Sequence, residues 1–408
     1  MSFSRPAGPR GWLLVSLFTA LLLACAAQQQ MEKPTVVTGE EALREQARAD
    51  SLKAVRDREI RIAKSTGSEY HKNKQYADAI PHLEKVLELD PKNEGVYFML
   101  ADCYFQLDEL DKAVEVYERA ISADPQNGNF HQYLGYMLDR KGMAQEALAE
   151  YEKAVDLMPE SLEAHLALAN LYLGQEMDNP AMEHYAKVVE LDSARQEVLM
   201  VLSKLYTRHT MREELADTYE QLLSLNPNDR VVMLELGKTY TELGRNEKAA
   251  ELLQKLLQLE QDNVMACLYL GTALNNQNRC AEAISIFNKA LELEPKNLRA
   301  LSDLAYSYSQ NGNHAKAREL LNKVASLDSG YAYRFVVLGE IYENEAEPFI
   351  KPDGTVKFDG KMKYKQAVAE YEKALKDPEW GRYAKNKIDY LTPFLPTKED
   401  EFFHGEKE

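Results

Sequence analysis

Chemistry in this chain of 408 residues would start from eight histidines, four cysteines and 66 carboxylates, and their spacing decides what they could do. No reaction centre emerges. There is no HExxH to hold zinc, no GxSxG to present a serine nucleophile, and no GxGxxG to admit a dinucleotide. Gly237-Lys238-Thr239 ends like a phosphate-binding loop. However, Val232 stands where the first glycine belongs, and the segment reads as helix, with no open backbone to cradle phosphate. His131 and His165 occupy equivalent core-facing positions and read as packing side chains rather than metal ligands. Cys103, Cys267 and Cys280 form no CxxC or Cys/His cluster and read as buried free thiols. The expectation is a non-catalytic chain without metal or cofactor, whose work is binding.

Stepping outward from these residues, 45% hydrophobic and 28% charged content is too apolar for a disordered chain. The single apolar run near the start excludes a polytopic membrane protein. With 49 basic and 66 acidic side chains, the formal charge of -17 offers no footprint for nucleic acid. Residues 1–10 carry Arg5 and Arg10 and no acid, and 11–24 form an apolar run closing on small residues, the pattern of a secretory signal peptide. Its end, Leu22-Leu23-Ala24-Cys25, resembles the bacterial lipobox, with Leu23 a less favoured residue at its place. That resemblance implies cleavage before Cys25 and lipidation of that cysteine, where several acyl chains, at about 0.8 kcal/mol per buried CH₂, anchor a protein stably. The leader removes two arginines and no acid, leaving -19. Ala26 after the cysteine implies, by the same resemblance, an outer-membrane lipoprotein facing the periplasm, with a polar tether over 25–38.

The body repeats itself every 34 residues. Repeats beginning at Ile60, Glu94, Gly128, Leu162, Gln196, Arg230, Val264 and Leu298 run without insertion to Tyr331, and a ninth begins at Ala332. Position 7 is Leu in the second to ninth repeats, and position 8 is always small, as in Gly67, Ala101, Gly135 and Ser203. Position 11 is usually Tyr, position 20 usually Ala, position 24 often aromatic, and position 32 Pro in five repeats. This pattern resembles the tetratricopeptide repeat, although position 4 carries Tyr97, His131 or His165 where the family favours Trp. The resemblance implies an all-α, right-handed superhelical solenoid of about nine helix-turn-helix repeats. The physics agrees independently: apolar residues at 4, 7, 8 and 11, then at 20, 24 and 27, define two amphipathic helices per repeat, whose faces are buried only by stacking.

In such a solenoid the first helices line the concave side, and by helical phase positions 2, 5, 9, 12 and 13 point into it. The partner-binding groove is therefore expected at Arg61, Lys64, Phe98, Asp102, Phe105, Tyr136, Arg140, Leu166, Asn170, Met200, Lys204, Leu234, Lys238, Leu268, Asn275 and Tyr306. Basic and acidic groups nearly balance along this stripe, and its apolar members suggest an interaction surface. Some family members clamp a C-terminal carboxylate with Lys and Asn. Here Lys64 is in place but Ser68 occupies the Asn position, which argues against that specificity.

The remaining boundaries follow. Residues 39–59 read as a charged helical lead-in, 60–331 as eight tandem repeats, and 332–377 as a ninth repeat with an inserted loop, 343–366. Pro352-Asp353-Gly354 reads as the turn of a small β-hairpin in that loop. Residues 378–392 read as a capping helix carrying Trp380, and 393–408 as a mobile acidic tail. Together these features predict a lipid-anchored scaffold that tethers a protein or peptide partner at the outer membrane. Such a scaffold would serve an envelope machine for pili, secretion, polysaccharide export or peptidoglycan remodelling. The alternative is a non-catalytic regulatory subunit of an envelope enzyme complex.

Overall fold

The computed structural model describes residues 39–405; the leader, Cys25 and the tether lie outside the described residues. Twenty α-helices and no strand are found among the described residues. They fall into two compact units, one ending at Leu157 and the other starting at Met158. The N-terminal unit holds α1 (Gly39–Lys72), α2 (Tyr76–Leu89), α3 (Glu94–Gln106), α4 (Leu110–Ala123), α5 (Gly128–Arg140) and α6 (Ala144–Leu157). The C-terminal unit opens with α7 (Leu162–Gly174), α8 (Asp178–Leu191), α9 (Gln196–Arg208), α10 (Arg212–Leu225), α11 (Arg230–Glu242) and α12 (Asn246–Leu259). It continues with α13 (Val264–Asn276), α14 (Cys280–Leu293), α15 (Leu298–Gln310), α16 (His314–Leu327), α17 (Ala332–Ala346), α18 (Phe358–Ala374), α19 (Gly381–Leu391) and α20 (Lys398–Gly405). Odd-numbered helices from α1 to α17 are the first helices of the repeats.

Close approach of the two helices in a repeat is set by positions 8 and 24. A Cβ added to Gly271 would stand 2.5 Å from Phe287 Cζ, and one on Gly339 2.5 Å from Tyr371 Cζ. The same relation joins Gly135 to Tyr151 and Gly237 to Leu253. Around that contact the position 20 alanines, from Ala79 to Ala367, are fully buried.

Both connections have a fixed backbone. Position 15, between the helices of a repeat, is left-handed in all eight regular repeats, with φ of 60° at Lys74, 61° at Asp108, 58° at Glu176 and 55° at Thr210. Only Gly142, Gly244 and Gly312 supply the residue that takes this conformation freely. Between repeats, the residue before position 32 is extended, as at Asp90 (φ -137°) and Asp124 (φ -145°), the region a following proline imposes. Asp192 and Asp328 take the same conformation before Ser193 and Ser329, so the tertiary packing sustains the turn without proline. Asn127, Ser161, Asp229, Asn263 and Asn297 then cap the next helix through their side-chain oxygens.

The histidines at position 4 pack as their spacing suggests. His131 lies 2.6 Å from Glu150 and 3.4 Å from the Pro125 carbonyl; His165 lies 3.0 Å from His184 and 3.1 Å from the Pro159 carbonyl. Tyr97 makes the same tie to Pro91 at 3.0 Å. Cys103, Cys267 and Cys280 are buried and free.

The lead-in is helical, as expected, and continuous with the first repeat, since no proline interrupts 39–72 and α1 runs through it. Two segments differ from expectation. The insertion forms no hairpin strands. The flanking helices absorb part of it, and the rest is a 3₁₀ turn (Glu347–Phe349) and one antiparallel bridge between Ile350 and Val356 around Gly354. Pro348 and Pro352 lack the N–H groups a longer ladder needs. The acidic tail is ordered as far as α20. Thr397 and Asp400 form a reciprocal cap, and Asp400 and Glu401 pair with Lys361 and Lys365 of α18 at 2.7 and 2.6 Å.

Because a β-branched residue is disfavoured in the left-handed region, Thr210→Gly is expected to stabilise the chain by about 1 kcal/mol. A denaturant melt in which the variant unfolds earlier than the parent would contradict this account of the turn.

Candidate functional site

The inner stripe concentrates its chemistry at one place in each unit. In the N-terminal unit, α1, α3, α4 and α5 enclose a cavity of about 350 Å³ lined by His71, Phe98, Met99, Asp102, Phe105, Tyr117, Tyr133, Tyr136 and Met137. Position 12 of one repeat meets position 9 of the next along its rim. His71 Nε2 lies 2.6 Å from Asp102 Oδ2, and the Phe105 ring lies 6.0 Å from that of Tyr136. At its floor Phe98 is 5.1 Å from Tyr133 and 5.4 Å from Phe130, and Tyr117 stacks on Tyr133 at 5.9 Å. Tilted and offset rings are the arrangement that aromatic quadrupoles favour. Burial pushes the Tyr117 hydroxyl well above the usual phenol range, so it stays a neutral donor. The cavity can receive a flat or bulky apolar side chain, with the His71–Asp102 pair offering polar contacts at its edge.

The second place, in the C-terminal unit, is ionic. Tyr333 donates to Asp303 Oδ1 at 2.5 Å, and Tyr383 donates to Glu340 Oε1 at 2.5 Å. Lys387 holds Glu343 at 3.0 Å, and Trp380 stacks on Tyr333 at 4.2 Å. Burial raises Asp303 to about 6, against the lowering effects of the Tyr333 hydroxyl and Arg299. Burial likewise raises Glu340 to about 7, with Glu343 and Asp303 adding to the shift and Tyr383 and Lys387 opposing it.

Of the residues expected to line the groove, Phe98, Asp102, Phe105 and Tyr136 come together in the cavity, Tyr136 with 40% of its surface exposed. Arg61, Arg140, Met200 and Lys204 are exposed, whereas Leu166, Lys238 and Tyr306 are half-buried. Lys64 donates to Asn93 at 3.0 Å, and Asn170 accepts from Tyr185 at 2.6 Å. Leu234 packs partly on the core.

Two expectations fail. Leu268 is 1% exposed and Asn275 8%, because the first helices α11, α13 and α15 pack against one another there and cover the middle helix.

Sequence reasoning omitted position 6, which supplies Met99 and Tyr133 to the cavity and Asp303 to the ionic cluster. The signal was present: position 6 falls within about 20° of position 13 around a helix. His71 was legible at position 12, but Tyr117 and the capping-helix residues Tyr383 and Lys387 come from outside the stripe.

Among the described residues no helix is long and apolar enough to cross a membrane, and no group of His, Cys, Asp and Glu could hold a metal ion. The tetratricopeptide repeat family model matches residues 70–134, 140–206, 216–269 and 274–333. No curated protein matches the chain. Among solved structures, YrrB, described as a TPR protein with an unusual peptide-binding site, is 24% identical over 45% of this chain and 95% of its own, with a TM-score of 0.37. MamA from Desulfovibrio magneticus RS-1 is 16% identical over 42% of this chain and 96% of its own, with a TM-score of 0.37. A repeat protein from Cytophaga hutchinsonii is 19% identical over 68% of this chain and 99% of its own, also at 0.37.

The raised carboxylates set a pH dependence. Between the ordinary carboxylate value and about 7, the folded state holds more protons at Glu340 than the unfolded chain, so stability falls as pH rises through this window. Glu340→Gln is expected to stabilise the C-terminal unit at pH 8 by roughly 1 kcal/mol, with the gain shrinking below about pH 4.5. Denaturant melts at the two pH values check this; a gain of equal size at both would refute it.

Proposed function

Because the chain belongs to the tetratricopeptide repeat family, whose fold serves protein-binding scaffolds and is generally non-catalytic, we propose that it is a membrane-tethered adaptor capturing a partner segment on its inner face. The aromatic cavity of the N-terminal unit carries this reading. A pocket of rings and thioethers with a polar pair at its rim suits the aromatic or large aliphatic anchor of an extended or helical peptide. Methionines adapt to anchors of different shape, so Met99 and Met137 favour tolerance in the exact side chain taken. The lipobox-like sequence ending at Cys25 supports a lipid anchor, and Ala26 supports the outer membrane as its place. An adaptor so placed would hold its partner at the inner surface of that membrane during assembly of an envelope machine.

Selection of displayed peptides against the full chain should enrich segments with an aromatic or large aliphatic anchor. Phe105→Glu and Tyr136→Glu should each weaken a selected peptide roughly tenfold or more. Binding indifferent to both changes, in variants with unaltered helix content, would remove the cavity from the function. For the anchor, Cys25→Ser should abolish incorporation of labelled fatty acid in a bacterial host; labelling that persists would exclude Cys25.

A further inference from the structure

We propose that the outer face of the fifth repeat, in the groove between α8 and α10, binds a lysine side chain of a partner protein. The incoming ammonium takes the place of a cation that every other repeat supplies for itself. This surface lies on second helices of the C-terminal unit and does not depend on the aromatic cavity.

The gap shows when the repeats are set against one another. Position 26 is lysine or arginine in eight repeats, from Lys85 and Arg119 to Lys323 and Lys373, and only the fifth carries an uncharged residue there, Gln221. Elsewhere this cation ties its repeat to the one before. Lys255 and Lys323 donate to the Pro227 and Pro295 carbonyls of the preceding repeats at 3.3 and 3.4 Å. Arg119 grips Glu84 of the preceding repeat through both terminal nitrogens at 2.9 Å. Gln221 makes no such tie: its Oε1 is enclosed and meets no donor, although the residue is half-buried and borders open space. A shielded acceptor without a donor is uncommon in a folded chain.

The space beside Gln221 is a groove of about 460 Å³. Its floor is apolar, with Ala186 and Val189 from α8 and Leu199 and Leu202 from α9. Its rim carries Glu190 of α8 and Glu214 and Asp217 of α10, all exposed, and no lysine or arginine of the described residues lines it. Lys187 holds Glu190 at 3.0 Å, whereas Glu214 and Asp217 have no ion pair among the described residues. In the adjoining groove, between α10 and α12, Lys248 and Lys255 offset Glu220 and Glu251. The fifth repeat has Glu214 and Gln221 where those two lysines stand, so its groove keeps the acids and lacks the bases.

Lysine answers both parts of this surface. Its four-carbon stem covers the apolar floor while the ammonium stays at the wet rim. Three rotatable donors suit carboxylates that come singly from two helices, whereas the planar fork of arginine is matched to one carboxylate held face on. The chain's own choice agrees, since position 26 is arginine only at Arg119.

The probe is Nα-acetyl-lysine amide, titrated against the full chain with isotope-labelled leucine and valine methyl groups, and compared with its Nε-acetylated, uncharged form. The methyl resonances of Val189, Leu199 and Leu202 should shift saturably with the charged probe and stay still with the neutral one. Gln221→Lys restores the cation that the other repeats carry and is expected to abolish the shifts. Gln258→Lys, which adds the same charge on the exposed face of α12, should leave the titration unchanged. Glu214→Gln combined with Asp217→Asn should weaken binding roughly tenfold, and decides the matter should Gln221→Lys unfold. Phe105→Glu, which tests the aromatic cavity, should leave these shifts as they are, so the two sites fail separately. No saturable shift, an equal shift with the neutral probe, or shifts that persist in folded Gln221→Lys would each overturn the proposal. An equal loss in Gln258→Lys would overturn it as well, by showing only diffuse attraction to an acidic chain.

Discussion

The structure depends on how closely two helices of one repeat can approach, and that distance is set by a missing side chain. Where position 8 is glycine, the ring or branch at position 24 occupies the space a Cβ would take, as Phe287 does against Gly271. Alanine at 101, 169 and 305 is fully buried at the same position. Interiors pack at crystal-like density, so even a methylene inserted here would displace a ring, and the ring would displace the next repeat. Within each unit the first helices are thereby held at a regular spacing, and the inner face inherits its regularity from a contact on the opposite side of those helices.

That regularity explains how surfaces of different chemistry share one scaffold. In the N-terminal unit, positions 5, 6, 9 and 12 are filled by Phe98, Met99, Tyr133, Tyr136 and Phe105, and the result is an apolar cavity. Near the C-terminus the same positions hold Asp303, Tyr306, Glu340 and Glu343, and the result is a desolvated ionic cluster. The backbone does not distinguish the two. Function is written in the side chains that the core contact leaves unconstrained, which is why the fold alone names no partner.

Much of this was legible in the residues. The 34-residue period located every helix pair, because small residues at 8 and 20 and prolines at 32 act locally. Legibility ended where geometry depends on several chains of contact at once. The burial of Leu268 needs three first helices to converge, which no single repeat encodes. The left-handed position 15 was hidden because Lys74, Glu176 and Thr210 are not the residues that announce such a turn. The order of the C-terminal tail rests on Lys361 and Lys365, which lie 39 and 36 residues before their partners and themselves belong to the inserted segment. Thr397 and Asp400, by contrast, form a local capping signal of the kind a closer reading of spacing recovers.

The first helix has a mechanical consequence. Residues 40–56 of α1 are exposed, and the helix carries no apolar stripe there; pairs such as Arg44 with Glu40 run along its surface, until Arg56 reaches the Leu89 carbonyl. At 1.5 Å per residue this stretch, nearly five turns, extends about 25 Å. A helix of this kind behaves as a strut rather than as a tether, stiff along its length and able to fray from its N-terminal end. Any load applied through residue 38 is therefore delivered at a standoff, and torque on the strut is resisted where Arg56 closes the end of α2.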